Sequence, residues 1–264
     1  MRLFTFGCSF TQWEWSTWAD IVHRDNFTGF QNLGRCGAGN VYIFTQLMEA
    51  IQKKNINSDD TVMVMWSSVC REDRWYDGGW KCPGNIFTSK HFGLDFMQKY
   101  YDIDGFYHRD IPLMHAAQMI LDSIGCRHHI MSMVDVVNHD QYETYDNSDQ
   151  PYVKDLFETY ESSLSRILPS VHNVIFDYDY NNRLIAGYDT REGIRICHPT
   201  PSEHLEYIEK VLPEYDISDQ TRDVIAQEDA KVIEDLAGDW AGTRNRFYDV
   251  DPELMEIYGE KNVR

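Results

Sequence analysis

Five short stretches of the chain read as buried strands, at residues 2–6, 29–33, 61–66, 128–133 and 173–177. Each has the length and side-chain content of a strand buried on both faces. The stretches between them carry a different period. Residues 17–23 are amphipathic, and residues 40–53 repeat apolar side chains at Ile43, Leu47, Ala50 and Ile51. Residues 111–124 set Met114, Ala117, Gln118 and Leu121 on one side, and residues 153–167 place Leu156, Tyr160 and Leu164 four apart. A further helix follows His204, with Leu205, Ile208 and Leu212. Strands alternating with helices predict a three-layer α/β/α sandwich around a five-stranded parallel sheet in flavodoxin-like order. In such sheets sites form beyond the carboxyl ends of the strands.

Two segments break the alternation. Residues 67–109 form a long aromatic insertion punctuated by glycine, including Arg74-Trp-Tyr-Asp-Gly-Gly-Trp-Lys-Cys-Pro-Gly-Asn85. Irregular insertions of this length inside a compact domain are commonly functional. Residues 214–264 form an acidic extension, helical in pattern around 217–236 and carrying Trp240, Phe247 and Tyr248. Its aromatics predict that it docks on something, a protein partner or a second copy of the chain. The expected division is a main domain over 1–213 with this extension after it.

At 264 residues the chain is long enough for a full core. Its formal charge of −19 argues against a nucleic-acid surface, which needs clustered Lys and Arg. No apolar run approaches the roughly 20 residues of a membrane span. The first residues enter a strand without a signal-peptide pattern, so a cytoplasmic protein is expected. Cys8, Cys36, Cys70, Cys82, Cys126 and Cys197 are scattered without a CxxC pair. Free thiols and no metal site follow from that spacing.

The chemistry concentrates at strand ends. The first strand stops at Gly7-Cys8-Ser9, and a serine at a strand-to-helix turn is pushed out of the sheet. There a base can reach its hydroxyl and backbone N–H groups can hold an oxyanion, which makes Ser9 a candidate nucleophile. Cys8 beside it is read as a structural thiol. After the second strand comes Gly34-Arg-Cys-Gly37-Ala-Gly39-Asn40, a glycine-rich turn opening a helix. Asn40 is either a helix cap or a polar group at the site. After the third strand come Ser67, Ser68, Arg71, Glu72 and Asp73, at the same rim. Near the end stands Cys197-His198-Pro199-Thr-Pro201, where His198 precedes proline and is held extended at a helix entrance. That suits a general base. His204, His128 and His129 are read as structural.

These blocks together resemble the SGNH (GDSL-like) hydrolase family. Gly7-Cys8-Ser9 is similar to the family's Gly-Asp-Ser block, with Cys8 in place of Asp. Gly37 stands where the second block has its glycine, and His198-Pro199 matches the last block. The resemblance covers roughly residues 1–213. Gly-Cys-Ser-Phe-Thr, Trp-Ala-Asp and His-Pro-Thr-Pro-x-x-His are similar to compact SGNH-like proteins of bacteriophage and bacterial genomes. Two departures stand out. The third-block asparagine is missing, with Ser67 and Ser68 nearby. Arg195 occupies the place of the aspartate that orients the imidazole. Either a backbone carbonyl or a carboxylate from Asp189, Glu192 or Glu203 takes over, or the enzyme runs on a Ser–His dyad.

The resemblance implies a serine esterase that needs no cofactor. His198 deprotonates Ser9, and Ser9 attacks an ester carbonyl. The oxyanion rests on the N–H groups of Ser9 and Gly37 with Asn40 or Ser68. Arg71, Trp75 and Trp80 are the expected substrate contacts, with Tyr76 beside them. A short acyl ester, first of all O-acetyl on a glycan, is the expected substrate. Two alternatives stand beside it: a catalytically degenerate SGNH-fold binding or phage assembly protein, and an O-acyltransferase using the same site.

Overall fold

The computed structural model describes residues 1–86, 92, 94–136, 151–176 and 198–237. In chain order its elements begin with β1 (Arg2–Phe6), α1 (Trp18–Asn26), β2 (Gly29–Asn32), α2 (Asn40–Lys54) and β3 (Thr61–Trp66). The insertion contributes β4 (Arg74–Tyr76), β5 (Gly79–Lys81) and α3 (Leu94–Tyr100). There follow α4 (Ile103–Ile124), β6 (Arg127–Ser132), α5 (Pro151–Thr159), α6 (Glu161–Leu164), α7 (Pro201–Val211) and α8 (Asp219–Ala237). The four sheet strands and α1, α2, α7 and α8 fall within a few residues of their expected spans. By contrast, α4 begins well before the expected start at 111, and the expected helix at 153–167 is divided into α5 and α6. The elements α3, β4 and β5 were not expected.

The main sheet is parallel, in the order β2-β1-β3-β6. All six residues of β3 are buried, as a central strand covered on both faces requires. The strand at its other flank, β1, buries Leu3, Phe4, Thr5 and Phe6. α2 packs on α4, and α4 on α5 and α6; α1 packs on α7, and α7 on α8. Those two helical groups on either side of the sheet make an α/β fold. Trp18, Trp66, Tyr107, Tyr207, Phe4 and Phe6 are the largest fully buried side chains.

The expected fifth strand, at 173–177, is a correction: the sheet has four strands among the described residues. Residues His172–Phe176 form a π-type helical turn instead. Val171 and Ile175 are buried four apart, a helical spacing that the β-branched run disguised. Ser170 accepts from the Asn173 N–H on its side chain and from the Val174 N–H on its carbonyl, and so starts the turn. The segment still lies along β6, since Leu168 N–H donates to Ile130 O and His172 N–H to Met133 O. Residue 177 lies outside the described residues, as do Asp189, Glu192, Arg195, Cys197, Trp240, Phe247 and Tyr248.

The helix of the acidic extension, α8, is clamped to the domain by its own acids. Glu228 Oε1 accepts from Ser16 N–H at 2.9 Å, and Asp229 Oδ1 from Ser202 N–H at 3.0 Å. Ser16 precedes α1, and Ser202 lies in the first turn of α7. Among the described residues no helix is long and apolar enough to cross a membrane.

Candidate active site

Beyond the carboxyl end of β1 the chain folds into a tight turn, with Thr11 and Gln12 N–H both donating to Cys8 O. Gly7 is needed there. A Cβ on it would sit 2.0 Å from Thr11 Oγ1 and 3.1 Å from Met65 O. Ser9 occupies this turn, almost wholly buried. The turn is pinned on its far side, where Thr11 O accepts from Thr17 Oγ1 at 2.7 Å and from Asn32 Nδ2 at 2.7 Å.

A second turn lies directly against it. Arg35 N–H donates to Gly7 O, extending the β1–β2 pairing, and Ala38 N–H closes on Arg35 O. Gly37 in this turn has φ +77°, a conformation costly for other residues. Its missing side chain also admits the insertion, because a Cβ there would be 2.2 Å from Cys82 O. Among the described residues, the N–H groups of Ser9 and Gly37 donate to no acceptor. Two free N–H groups on adjoining turns are the raw material of an oxyanion hole.

The polar residues of the two helix-bearing turns are committed to structure to different degrees. Asn40 is fully buried; its Nδ2 donates to Ser67 O at 3.1 Å and Asp110 Oδ2 at 2.8 Å, and its Oδ1 accepts from Ser67 N–H. Both amide hydrogens are therefore engaged in tying α2 to the end of β3 and to α4. Ser67 donates its hydroxyl to Ala38 O at 3.0 Å. Ser68 Oγ accepts from Cys70 N–H, and its hydroxyl also interacts with the Cys70 thiol. Asp73 reaches from the insertion to the start of α2 and accepts from Gly39 and Tyr42 N–H, each at 2.9 Å. Burial pushes the Asp73 carboxyl up, opposed chiefly by those two hydrogen bonds.

His198 enters from the opposite side. Its imidazole stacks on Trp13, with centroids 3.8 Å apart and planes 9° from parallel, and touches the Phe10 ring at 5.5 Å. The next residue is held too, because Trp15 Nε1–H donates to Pro199 O at 2.8 Å. α7 then starts on a capping box, Thr200 with Glu203, and Pro201 in its first turn. Glu203 is thus engaged at this cap, accepting from Thr200 N–H. His198 Nδ1 is buried without a hydrogen-bond partner, and no hydrogen bond joins His198 to Ser9. Burial, reinforced by the positive charge of Arg71, pushes the His198 imidazole down to about 3. His172 and His204 flank the same Phe10 ring and are also pushed down to about 3, again chiefly by burial.

Of the expected substrate contacts, Arg71 lies deepest. Its Nη1 donates to Ala38 O at 2.9 Å, and its Nη2 lies 3.6 Å from Met133 Sδ. Cys8 Sγ is also 3.6 Å from that sulfur. Trp75 and Trp80 face each other across the β4–β5 hairpin, edge to face at 5.8 Å. Trp80 is half-buried against Tyr42, and its carbonyl accepts from Arg35. Trp75 and Tyr76 are 62% and 52% exposed, which makes the hairpin tip an aromatic surface. The described cysteines are all free thiols.

Trp13, Trp15 and His172 were not expected from the sequence. The signal for the two tryptophans was their place, Gln12-Trp-Glu-Trp-Ser16, in the loop that leaves Ser9. For His172 there was none.

No protein-family profile matches the chain, and no curated protein sequence does. Among solved structures it is similar to a member of the lipolytic G-D-S-L protein family from Veillonella parvula DSM 2008. That match has 13% identity over 79% of this chain and 94% of the other, with a TM-score of 0.43. It is also similar to a catalytic mutant of Axe2, an acetylxylan esterase from Geobacillus stearothermophilus. Here identity is 13% over 82% of this chain and 94% of the other, with a TM-score of 0.48.

Proposed function

We propose that the protein is a serine esterase of SGNH type that works through Ser9 and His198. The observation that carries this reading is the pair of free N–H groups, on Ser9 and Gly37, at the turn that bears the serine hydroxyl. Two such donors beside a nucleophile serve acyl transfer, where negative charge develops on a carbonyl oxygen. His198 accepts the Ser9 proton as Ser9 Oγ bonds to the ester carbon, then gives it to the departing alcohol. Water repeats the sequence on the acyl-enzyme. Ser68, at the end of β3, is the third oxyanion donor, while Asn40 holds the frame. No carboxylate orients the imidazole in this scheme; stacking on Trp13 and the Trp15–Pro199 hydrogen bond do so. A buried imidazole held neutral is a weak base, so turnover is slow. A short acyl group on a glycan remains the preferred substrate, with Trp75 on the exposed hairpin as a sugar platform.

Labelling tests this directly. A fluorophosphonate should attach one phosphonyl group to Ser9, read by peptide mass spectrometry, and should leave Ser9→Ala unlabelled. Labelling elsewhere, or none, contradicts the reading. The absence of a Ser9–His198 hydrogen bond favours a second reading, a binding protein on the same fold, and that reading predicts no label.

A further inference from the structure

We propose that Arg71 is a receptor for an anionic group, so that the ester handled at Ser9 carries a carboxylate or a phosphate. This rests on the esterase reading and narrows its substrate class.

The acids near Arg71 in the sequence are spent elsewhere. Glu72 pairs with Arg109 and with Arg74, each at 2.8 Å. Asp73 caps α2. Asp110, fully buried, pairs with Arg109 at 2.6 Å and accepts from Asn40. Arg71 turns the other way, toward Ala38 of the Gly37 turn and Met133 at the end of β6. Among the described residues no carboxylate lies within ion-pair distance of it.

Its hydrogen-bonding capacity is also largely unused. A guanidinium offers five N–H donors in a planar fork. Here one nitrogen donates to Ala38 O, another faces only a thioether, and Nε is buried with no partner at all. Placing a cation in such surroundings without a counter-charge is costly. The chain carries 43 acidic residues against 24 basic ones, so a pairing carboxylate was readily available in composition. An arginine left open against the Gly37 turn is arranged for a planar oxyacid arriving from outside.

The position has a catalytic consequence. The positive charge of Arg71 adds to burial in holding His198 neutral. An anion seated on the guanidinium cancels that charge and makes the imidazole a better base. Esters that carry the anion are therefore activated on binding, and neutral esters are not. Exposed Arg35 lies on the same Gly37 turn and donates to Trp80 O.

Equilibrium binding to Ser9→Ala protein tests the assignment without requiring turnover. The probes are monomethyl succinate, 2-acetoxyethyl phosphate and, as the neutral match, dimethyl succinate. At least one anionic probe should bind about tenfold tighter than dimethyl succinate. Which of the two does so identifies the carboxylate or the phosphate. Arg71→Gln on the same background should erase the preference. Equal binding of all three probes overturns the proposal, as does a preference that survives Arg71→Gln. Should the glutamine variant not fold, Arg71→Lys decides. A loss of about threefold or more in preference supports the fork geometry, and an unchanged preference overturns it. A charge preference without Ser9 labelling would leave this site standing and remove the esterase reading; labelling without preference does the reverse.

Discussion

The imidazole of His198 lies flat on the indole of Trp13, ring centroids 3.8 Å apart, in the loop that leaves Ser9. A carboxylate orients a catalytic histidine by accepting from Nδ1, but here Nδ1 has no partner. The stacked indole fixes the ring plane and leaves rotation within that plane to the backbone of Pro199, which Trp15 holds. Trp13→Leu keeps an apolar neighbour but frees the ring. We expect kcat for an ester substrate to fall about 10- to 100-fold with KM changed less than about threefold. Steady-state kinetics of the folded variant check this; an unchanged kcat would mean that the indole does not position the base.

Acid should destabilise the protein well before its carboxylates titrate. His172, His198 and His204 are held neutral in the fold down to about pH 3, against an ordinary imidazole value of 6.5. Below that ordinary value the unfolded chain binds protons that the folded chain refuses, so stability falls as pH falls. The three histidines act in the same direction, so their effects reinforce one another as pH falls. Asp73 and Asp110 act in the opposite sense, since burial raises their carboxyls and the fold takes up protons first. Urea midpoints measured at pH 7, 6 and 5 should drop steadily. His204→Leu should flatten the dependence, and an unchanged slope contradicts the assignment.

Asp73 joins the aromatic insertion to the start of α2 through two N–H groups. Replacing it by alanine leaves Gly39 and Tyr42 N–H buried without acceptors, at a cost of about 1–3 kcal/mol. The insertion should loosen against the Gly37 turn at the same time. Chemical denaturation should report the first effect and amide hydrogen exchange at 37–42 the second. Wild-type stability would show that the cap is dispensable.

Much of the frame was legible because buried strands and amphipathic helices carry their own period. The run 61–66, apolar after Thr61, became the fully buried central strand β3. The run 173–177 misled for a reason of the same kind. Val174 and Ile175 favour strands by side-chain shape, while tertiary contacts placed Val171 and Ile175 on one side of a helical turn. Ser9, Gly37 and His198 could be picked out because their neighbours, Gly7, a glycine-rich turn and Pro199, constrain backbone geometry locally. The partners of those residues could not. Trp13 meets His198 across 185 positions of chain, Asp73 caps a helix 33 residues upstream, and the open state of Arg71 depends on where Glu72, Asp73 and Asp110 turn. Long-range pairing of this kind leaves no periodic trace in a sequence.

Hydrolysis of 4-nitrophenyl acetate by wild-type protein and by Ser9→Ala tests the central claim most directly. The serine carries the acyl group between alcohol and water, so its removal should lower kcat by about a thousandfold or more. The fold should persist, because Ser9 Oγ makes no hydrogen bond within the described residues. Equal rates for the two proteins, or no turnover by wild type of either this ester or the anionic esters that Arg71 selects, would contradict the account.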